Sequence, residues 1–473
     1  MSTRENTLAA PSTAPRLLEG RVLRGRNVHY RSTVFAQRVD LGRFEGVRTG
    51  VAGPEFASRF VERIAGLRTP IPDGGLDATF LDGLESAPGI PFERALLEII
   101  RAVELAVAFT MHRRDTLEFA TLVHEPGSPR VVELVWECHS GSLSRAAARV
   151  GLAGLLELIG EPSEDFARRL LALQRRARRR QWSPTTAALA LAAKQRGISF
   201  EVLAGTHLRL GDGVMQHVVS GAAPDDADLE RVFPEGASAG VPTAVIAGTR
   251  GARATARDLD GLLRAAGRAV GLATRKLTTI AGKPVDPTSL GRHARARFLL
   301  ADPRVEALVY AVSPESVVER GLRLDHATAT AILDPKIGGN ADGRGVDVCV
   351  SATTGLVVVG ADHPLAERLT GRLSPDRLVL LSPRHEGPLI DRQLGAGGYA
   401  VVRVGAAAVE TIALLCAGAT VASVPVATLR SRARRVGDRR MRRAMFAMAL
   451  AFGLGLSGDE IVAAFEKRRY FRR

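Results

Sequence analysis

The spacing of apolar and polar positions divides the chain into two parts with different periodicities. In the first part, alternating runs predict strands in LLEGRVLRGRNVHYRS and VFAQRVDLG. A long helical pattern, FERALLEIIRAVELAVAFTMH, follows Pro91. The runs TLEFATLVH and RVVELVWECH are joined by the turn residues EPGSP, which predicts a hairpin. Strands and helices in this order predict an α+β domain.

Three more helices and a short strand are predicted before the first part ends. The helices are expected at residues 144–159, 164–180 (with Ser163 as the N-cap) and 184–196, and the strand at 198–203. Residues 1–16 are rich in Ser, Thr, Pro and Ala, which predicts a disordered leader. The first domain is therefore placed at residues 17–221, and a polar connector containing Pro and Gly follows at 222–240.

From residue 241 the pattern changes to apolar strands that alternate with helices. The strands are AVIAG, VGLAT, ALVYAV, TAILD, DVCVSA, LVVVGA and LVLLS, with helices expected at 258–266 and 291–301. Continuous apolar strands between helices are typical of a parallel sheet covered on both faces. GGYAVVRVG is interpreted as the start of antiparallel additions, and residues 439–465 as a final helical pair broken at 453–458. The predicted class is α/β: an α+β N-terminal domain, then a P-loop-type, doubly wound, mostly parallel sheet at 241–473.

The first strand of the second part runs into a loop with paired glycines. Residues 241–257 read VPTAVIAGTRGARATAR, in which Gly248, Thr249, Arg250 and Gly251 precede a helix. This is the frame of a nucleotide-binding strand–loop–helix turn. However, Ala252 occupies the position of the phosphate-binding lysine, and Arg253 that of the magnesium-binding hydroxyl. Such a loop can keep the fold without binding ATP, although either arginine can attract an anion.

Charge and cysteine content limit the function classes. Lys and Arg exceed Asp and Glu by 65 to 50, a net charge of +15. That excess either attracts anionic partners or only reflects arginine-rich codon usage. The three cysteines lie far apart and have no metal or redox spacing, which favours a cytoplasmic protein. There is no apolar signal region and no uninterrupted apolar stretch of about 18 residues.

Two arginine clusters are candidate anion-binding surfaces, with a solvated or intersubunit surface as the alternative. The first lies at a predicted helix end and the second before the final helices: Arg175, Arg176, Arg178, Arg179, Arg434, Arg435, Arg439 and Arg440. Five other side chains of the first domain have the residue types of a hydrolytic site but lack HExxH spacing: Glu98, Glu104, His112, His124 and His139. Solvated or core positions are expected for these five.

An ordered series of segments resembles the cyanophycin synthetase family. LEGRVLRGRNVHYRS and RGISFEVLAGTHLRLGDGVMQH resemble the start and end of that family's N-terminal domain. VFPEGASAGVPTAVIAGTRGARATAR, VVVGADHPLAERL and RRMRRAMFAMALAFGLGLSGDEIVAAF resemble its Mur-ligase-like central domain. The resemblance implies that the family's ATP-grasp domain, which adds aspartate, is missing between His217 and Val241. It also implies that the C-terminal lid domain is missing after Arg473.

The family's nucleotide motifs are altered at four strand ends. GTNGKT(T) becomes GTRGARAT, and the glutamate of a pattern like LETARGG falls on Tyr310 to Ser313, where there is no carboxylate. The TN…DH segment corresponds to Ile332, Leu333 and Asp334, without its histidine. The NADDP pattern survives as a turn without its asparagine at Gly360, Ala361, Asp362, His363 and Pro364. The family's histidine-bearing helix corresponds to residues 95–100, which contain no histidine.

These changes favour a pseudoenzyme that binds rather than ligates, and that needs no cofactor. The expected partner is an active cyanophycin-type ligase or an acidic polypeptide. Self-association into a homo-oligomer is expected from the resemblance. Two alternatives remain. One is an ATP-dependent acid–amino-acid ligase with an atypical or partner-completed site, for which ATP and Mg²⁺ would be the cofactors. The other is a nucleic-acid-binding protein that uses the arginine clusters.

Overall fold

A computed structural model describes most of the chain and contains three β-sheets. The described residues are 14–67, 76, 78–111, 119–125, 127–138, 140–161, 165–203, 207–220, 230, 233–234, 240–286, 294–333, 340–383, 387–405, 410–429 and 436–470. The predicted fold class is confirmed, because an antiparallel sheet with helices is followed by a large, mostly parallel sheet.

The N-terminal sheet is antiparallel, with the strand order β1-β2-β4-β3. The predicted hairpin is confirmed as β3 and β4. The helix predicted after Pro91 is α3, which packs on α4 beside the sheet and is almost entirely buried. The elements of this unit are β1 (Arg16–Leu23), β2 (Val34–Asp40), α1 (Phe56–Ala65), α2 (Ala78–Glu85), α3 (Phe92–Thr110), β3 (Ala120–Glu125), β4 (Ser128–Glu137), α4 (Gly141–Leu158) and α5 (Phe166–Arg178).

Several predicted boundaries in this unit differ from the structure. The carboxylate of Asp165 caps α5 by accepting a hydrogen bond from the Arg168 N–H, so the prediction of Ser163 as the cap was wrong. Ser163 itself lies outside the described residues, as do residues 1–13 of the expected leader. Arg16, the last residue of that leader, already belongs to β1. Helix α1 was not predicted, although Phe56, Phe60 and Ile64 recur every four residues on its buried face.

A small three-stranded sheet follows the N-terminal unit. It has the order β5-β6-β7 and packs against the helix predicted at 184–196. The elements are α6 (Pro184–Gln195), β5 (Phe200–Val202), β6 (His207–Leu210) and β7 (His217–Ser220). Phe233, from the predicted connector, is buried in the same cluster. Most of residues 222–240 lie outside the described part of the chain.

The large sheet has eleven strands in the order β11-β10-β9-β12-β8-β13-β14-β15-β16-β17-β18. Its seven central strands, from β9 to β16 in that order, pair in parallel, and antiparallel strands extend both edges. The strands are β8 (Thr243–Ala247), β9 (Val270–Ala273), β10 (Thr278–Ile280), β11 (Lys283–Pro284), β12 (Ala307–Val312), β13 (Ala327–Ile332), β14 (Thr353–Gly360), β15 (Leu378–Ser382), β16 (Tyr399–Val404), β17 (Thr411–Cys416) and β18 (Ala419–Pro425).

Helices cover both faces of this sheet. One face packs against α7, α13 and α14, and the other against α8 to α12. The final helical pair was predicted, whereas α7 begins six residues before its predicted start at residue 258. The strand predicted at DVCVSA (347–352) was wrong: these residues form the end of α10, and their apolar side chains are buried against the sheet. The helices are α7 (Ala252–Ala265), α8 (Arg295–Leu300), α9 (Pro314–Arg320), α10 (Asn340–Ala352), α11 (Ala366–Thr370), α12 (Pro388–Gly395), α13 (Asp438–Gly453) and α14 (Gly458–Tyr470).

The N-terminal unit joins the central unit through backbone pairing. Four backbone hydrogen bonds of 2.8 to 3.0 Å connect residues 24–26 with residues 320–324, and we call this contact the interdomain seam. A Cβ atom on Gly25 would lie 2.7 Å from the Leu324 backbone, and one on Gly321 would lie 2.4 Å from the Arg24 carbonyl oxygen. Both glycines also have positive φ, at 63° and 77°. The close approach therefore depends on glycine at both positions.

An ion-pair cluster at the end of β2 gives the N-terminal unit a pH-dependent stability. Asp40 is 5% exposed and accepts hydrogen bonds from Arg130 (2.5 and 3.1 Å), Arg16 (3.1 Å) and the Gly42 N–H (3.0 Å). Chiefly because of the Arg130 hydrogen bonds, the pKa of Asp40 lies below its ordinary value, although burial alone would raise it. The stabilisation is therefore complete above the unfolded-state pKa of about 3.9 and is lost as pH falls through the folded-state pKa.

Asp40→Asn is expected to lower the free energy of unfolding at pH 7 by about 1–3 kcal/mol, because it removes a charged hydrogen-bond acceptor. The difference from the unmodified chain should shrink as pH falls below about 4. Urea unfolding of both proteins at pH 7 and pH 3 measures it. A difference that stays constant between the two pH values would contradict this role of Asp40.

Candidate functional site

The candidate site lies at the carboxyl ends of the central parallel strands. Strand β8 has β12 on one side and β13 on the other, so the chain moves in both directions from β8. Ligands of open α/β sheets bind at such a switch point, outside the carboxyl ends of the strands. The loop with paired glycines connects β8 to α7 at this position.

The loop retains the backbone geometry of a phosphate loop. Gly251 has φ 81° and ψ −27°, a left-handed conformation that favours glycine, and α7 begins at the next residue. The Gly248 N–H donates to the carbonyl of Val312 at the end of β12 (2.9 Å), which ties the loop to the neighbouring strand. Thr249 and Arg250 are exposed. The predicted strand–loop–helix turn is therefore present as a backbone feature.

The side chains of this loop do not supply phosphate-loop chemistry. Ala252 is 5% exposed and belongs to the core cluster beneath α7. Arg253 is exposed in the first turn of α7. Thr255, two residues after Arg253 in α7, is fully buried, and its hydroxyl oxygen has no hydrogen-bond partner among the described residues. The helix N-terminus and two guanidinium groups can attract an anion, but residues 248–255 contain no lysine that could contact the β- and γ-phosphates.

Residues 310–313 at the end of β12 contain no carboxylate. Ser313 caps α9 instead, with its hydroxyl oxygen accepting from the Ser316 N–H at 3.3 Å. Glu315 lies in the first turn of that helix. At the end of β13, the Leu333 N–H donates to the Ala247 carbonyl (3.0 Å), and Asp334 lies outside the described residues. The Ser313 hydroxyl at the end of β12 is therefore used to cap α9.

The turn after β14 is stabilised by contacts within the protein. Asp362 forms an ion pair with Arg442 of α13. His363 is 6% exposed, and its Nδ1 accepts a hydrogen bond from the Leu365 N–H at 3.0 Å. The Asp362 carboxylate and the His363 imidazole therefore both have partners within the protein. The pair with Arg442 was not predicted.

The second arginine cluster lies only partly within the described chain. Arg434 and Arg435 lie outside the described residues, whereas Arg439 is exposed and Arg440 is partly buried. The same helix also supplies Arg443, whose Nε lies 3.4 Å from Asp258 Oδ2 of α7. Two arginines of α13 thus form ion pairs with other elements. Arg443 pairs with Asp258 of α7, and Arg442 pairs with Asp362 in the turn after β14.

The first arginine cluster is solvent-facing. It lies in the last turn of α5, where cations stabilise the helix dipole. Four guanidinium groups there are exposed, and none has a carboxylate within 4 Å in the part of the chain that the structure describes: Arg175, Arg176, Arg178 and Arg179. These four arginines form the cluster that is accessible to an anionic partner.

Among the described residues, Glu98, Glu104 and His124 of the first domain do not form one metal site. Glu98 is 3% exposed and is bridged by Arg94 and Arg101 of the same helix. Glu104 is 1% exposed and accepts a 2.7 Å hydrogen bond from Ser144. His124 is exposed on β3; His112 and His139 lie outside the described residues. Within the described ranges, no group of three potential metal ligands is present.

Among the described helices, none is both long and apolar enough to span a bilayer.

Comparison with known proteins gives structural likeness without a family assignment. No family model matches the chain, and no curated protein matches it. Solved structures that resemble it include UDP-N-acetylmuramate:L-alanyl-gamma-D-glutamyl-meso-diaminopimelate ligase from Neisseria meningitides, at 16% identity and a TM-score of 0.31. Mycobacterium tuberculosis folylpolyglutamate synthase, solved with ADP and AMPPCP, has 16% identity and a TM-score of 0.31.

A third similar structure is UDP-N-acetylmuramoylalanyl-D-glutamyl-2,6-diaminopimelate–D-alanyl-D-alanyl ligase from Acinetobacter baumannii, at 13% identity and a TM-score of 0.32. Each of the three likenesses covers 48% of this chain. The chain spans 65%, 58% and 46% of those three proteins respectively, which is less than two thirds of each.

Proposed function

We propose that this chain is a Mur-ligase-like protein that has lost ATP-dependent ligation and acts by binding. One observation carries the proposal: Ala252, buried in the core, occupies the lysine position of a loop whose backbone is otherwise retained. The order of the segments that resemble cyanophycin synthetase supports the Mur-like assignment. The topology around β8, with the loop at the switch point, agrees with it.

The energetic argument follows from the nature of phosphoryl transfer. Catalysis of that reaction consists mostly of positioned positive charge, supplied by the loop lysine and by magnesium. Removing one such electrostatic group raises a barrier by roughly 3–4 kcal/mol. This chain lacks the lysine and the loop hydroxyl, and Asp362 is already paired with Arg442. These changes act at the same reacting centre, and they leave the apolar strands intact.

The binding function proposed is a scaffold for an active cyanophycin-type ligase or for its acidic polymer. The α5 arginines support this choice, because they are exposed and have no carboxylate partners among the described residues. The net charge of +15 acts in the same direction by raising the local concentration of polyanions. Nucleic acid would be attracted by the same charges and is the alternative polyanion.

The test of lost ligation is ADP release by the purified chain, with ATP, Mg²⁺ and mixtures of acidic and basic amino acids. The expected rate equals the buffer background, both with and without an acidic polypeptide acceptor. The control is a complete Mur-type ligase assayed in parallel with its own substrates. Amino-acid-dependent ADP release above background by this chain would instead establish the ligase with an atypical site.

A further inference from the structure

The small three-stranded sheet makes a second contact with the central unit, in addition to the interdomain seam. In the turn between β6 and β7, the Val214 N–H donates to the Val305 carbonyl at 2.8 Å. The side-chain amide of Gln216 donates to the Ala301 carbonyl at 3.2 Å. Val305 lies between α8 and β12 and is fully buried. We call this pair of hydrogen bonds the small-sheet contact.

The small-sheet contact requires glycine, as the interdomain seam does. Gly213 is buried and has φ 54°. A Cβ atom there would lie 2.2 Å from the Val305 carbonyl oxygen and 2.7 Å from Val241 Cγ1. Because the carbonyl oxygen is a backbone atom, no side-chain rotation can relieve that clash. The close approach of the two backbones therefore depends on glycine, as it does at Gly25 and Gly321 of the seam.

Both contacts involve the same hydrophobic cluster of the central unit. The cluster lies on the sheet face that is covered by α8, α9 and α10. Val241 and Val305 belong to the cluster and lie at the small-sheet contact. Leu322 and Leu324 also belong to it and lie in the interdomain seam. Val28, from the loop between β1 and β2, packs against this cluster as well. The N-terminal part of the chain thus contacts one central core at two places.

The two contacts lie at the amino edge of the parallel sheet. Val241 precedes β8, Val305 precedes β12, and residues 322–324 precede β13. The candidate site lies at the carboxyl ends of the same strands, with the loop at residues 248–251. These strands have five or six residues, a length of roughly 17–20 Å. The two contacts and the candidate site are therefore at opposite edges of the sheet.

We propose that the small-sheet contact and the interdomain seam together form a clamp, which fixes the N-terminal unit and the small sheet on the central unit. Domain closure around a ligand needs hinge residues whose φ and ψ can change. In the clamp, the four hydrogen bonds of the seam, the two of the small-sheet contact and the close approaches at Gly213 and Gly321 fix the backbone. The three parts therefore open together, and the α5 arginines keep one position relative to the carboxyl edge. This proposal does not rest on the loss of ligation, because neither contact involves residues 248–251.

The test is native-state hydrogen exchange of the full chain, read by mass spectrometry in denaturant below the unfolding transition. It compares residues 207–220 of the small sheet, residues 22–26 at the seam and residues 243–247 of β8. The slowest amides of the three segments are expected to have protection within roughly tenfold of one another, because all of them exchange through the same global opening. Weaker protection than this at 207–220 or at 22–26 would show that the segment opens alone, and would overturn the proposal.

Gly213→Ala is expected to release the small sheet from the central unit, because the new Cβ atom clashes with the Val305 carbonyl. Gly197→Ala is the matched control, since Gly197 has φ 68° and a Cβ there would meet no atom within 4 Å. Exchange at 207–220 should accelerate at least about tenfold more in Gly213→Ala than in the control, as a backbone clash predicts. Equal acceleration in the two variants would contradict the clamp, because strain at a positive φ would then explain both.

Gln216→Ala is a milder variant that keeps the test decisive if Gly213→Ala does not fold. It removes the side-chain hydrogen bond to the Ala301 carbonyl and leaves the glycine backbone unchanged. Exchange at 207–220 should accelerate by roughly threefold to tenfold, as the loss of one neutral hydrogen bond predicts. Unchanged exchange in Gln216→Ala would remove the small-sheet contact from the clamp and overturn the proposal.

Discussion

Gly321→Ala is expected to destabilise the protein by about 3–5 kcal/mol. Part of this cost, roughly 1–3 kcal/mol, comes from placing an L-residue at φ 77° and ψ 165°, a region that is essentially restricted to glycine. The rest comes from the new Cβ atom, which would lie 2.4 Å from the Arg24 carbonyl oxygen and 2.9 Å from the Arg24 nitrogen. Both are backbone atoms, so no side chain can rotate away to relieve the clash.

The clash is expected to open the interdomain seam. Four backbone hydrogen bonds join residues 24–26 to residues 320–324, and each contributes roughly 1 kcal/mol. Thermal melting is the measurement, with limited proteolysis near residues 24–33 as a local readout. Gly53→Ala is the matched control, because Gly53 has φ 89° and ψ 171°, the same backbone region as Gly321, and a Cβ there would meet no atom within 4 Å. Melting shifts of equal size in the two variants would show that backbone strain, and not the seam, sets the cost.

The architecture of the central unit could be predicted because its signals are local. Each parallel strand is an apolar run of four to eight residues between helical patterns, and the loop with Gly248 and Gly251 marks the strand that begins the unit. The hairpin of β3 and β4 was predicted for the same reason, from two β-rich runs joined by turn residues. Such features depend on neighbours along the chain.

Boundaries failed where polar residues interrupt an apolar pattern. Helix α7 begins at Ala252 because Ala252, Ala256 and Leu259 form one buried stripe, but the arginines between them obscured it. The cap of α5 was assigned two residues early, because Ser and Asp are both good caps and only the backbone geometry selects Asp165. Helix α1 was overlooked in a segment that is polar on average.

Contacts between distant residues could not be predicted from a single sequence. The interdomain seam joins residues about 300 positions apart through backbone atoms, so it leaves no side-chain pattern beyond two glycines. The pair between Asp362 and Arg442 spans 80 positions, and it changes the interpretation of both residues. Nothing in the sequence indicates the positive φ of Arg323. These contacts required the tertiary structure.

Restoring the two missing loop residues is expected to restore nucleotide binding. In Ala252→Lys combined with Arg253→Thr, the lysine regains charge-assisted hydrogen bonds to phosphate oxygens, and the hydroxyl can ligate magnesium. Affinity for MgATP should rise at least tenfold, since one hydrogen bond to a charged group contributes roughly 1.5–3 kcal/mol. Turnover should stay at background, because no carboxylate follows β12 in the magnesium position.

Arg253→Thr alone is the control for this variant, because it removes the arginine without supplying the lysine. Its affinity for MgATP should stay as weak as that of the unmodified chain. An equal gain in the single and double variants would show that Arg253 obstructs the loop, and that the lysine is not the missing element. Thermal melting of each variant without nucleotide is the check on folding, because Ala252 is only 5% exposed and the lysine side chain is longer.

The most direct test of the central claim is the affinity of the unmodified chain for MgATP, measured by isothermal titration at physiological salt. Because the loop lacks its lysine and its hydroxyl, we predict no saturable heat up to an ATP concentration of about 1 mM, the weak end of the ordinary range of affinities. A micromolar dissociation constant that requires Mg²⁺ would contradict the account, since it would mean that the retained backbone of Gly248 to Gly251 still forms a working nucleotide site.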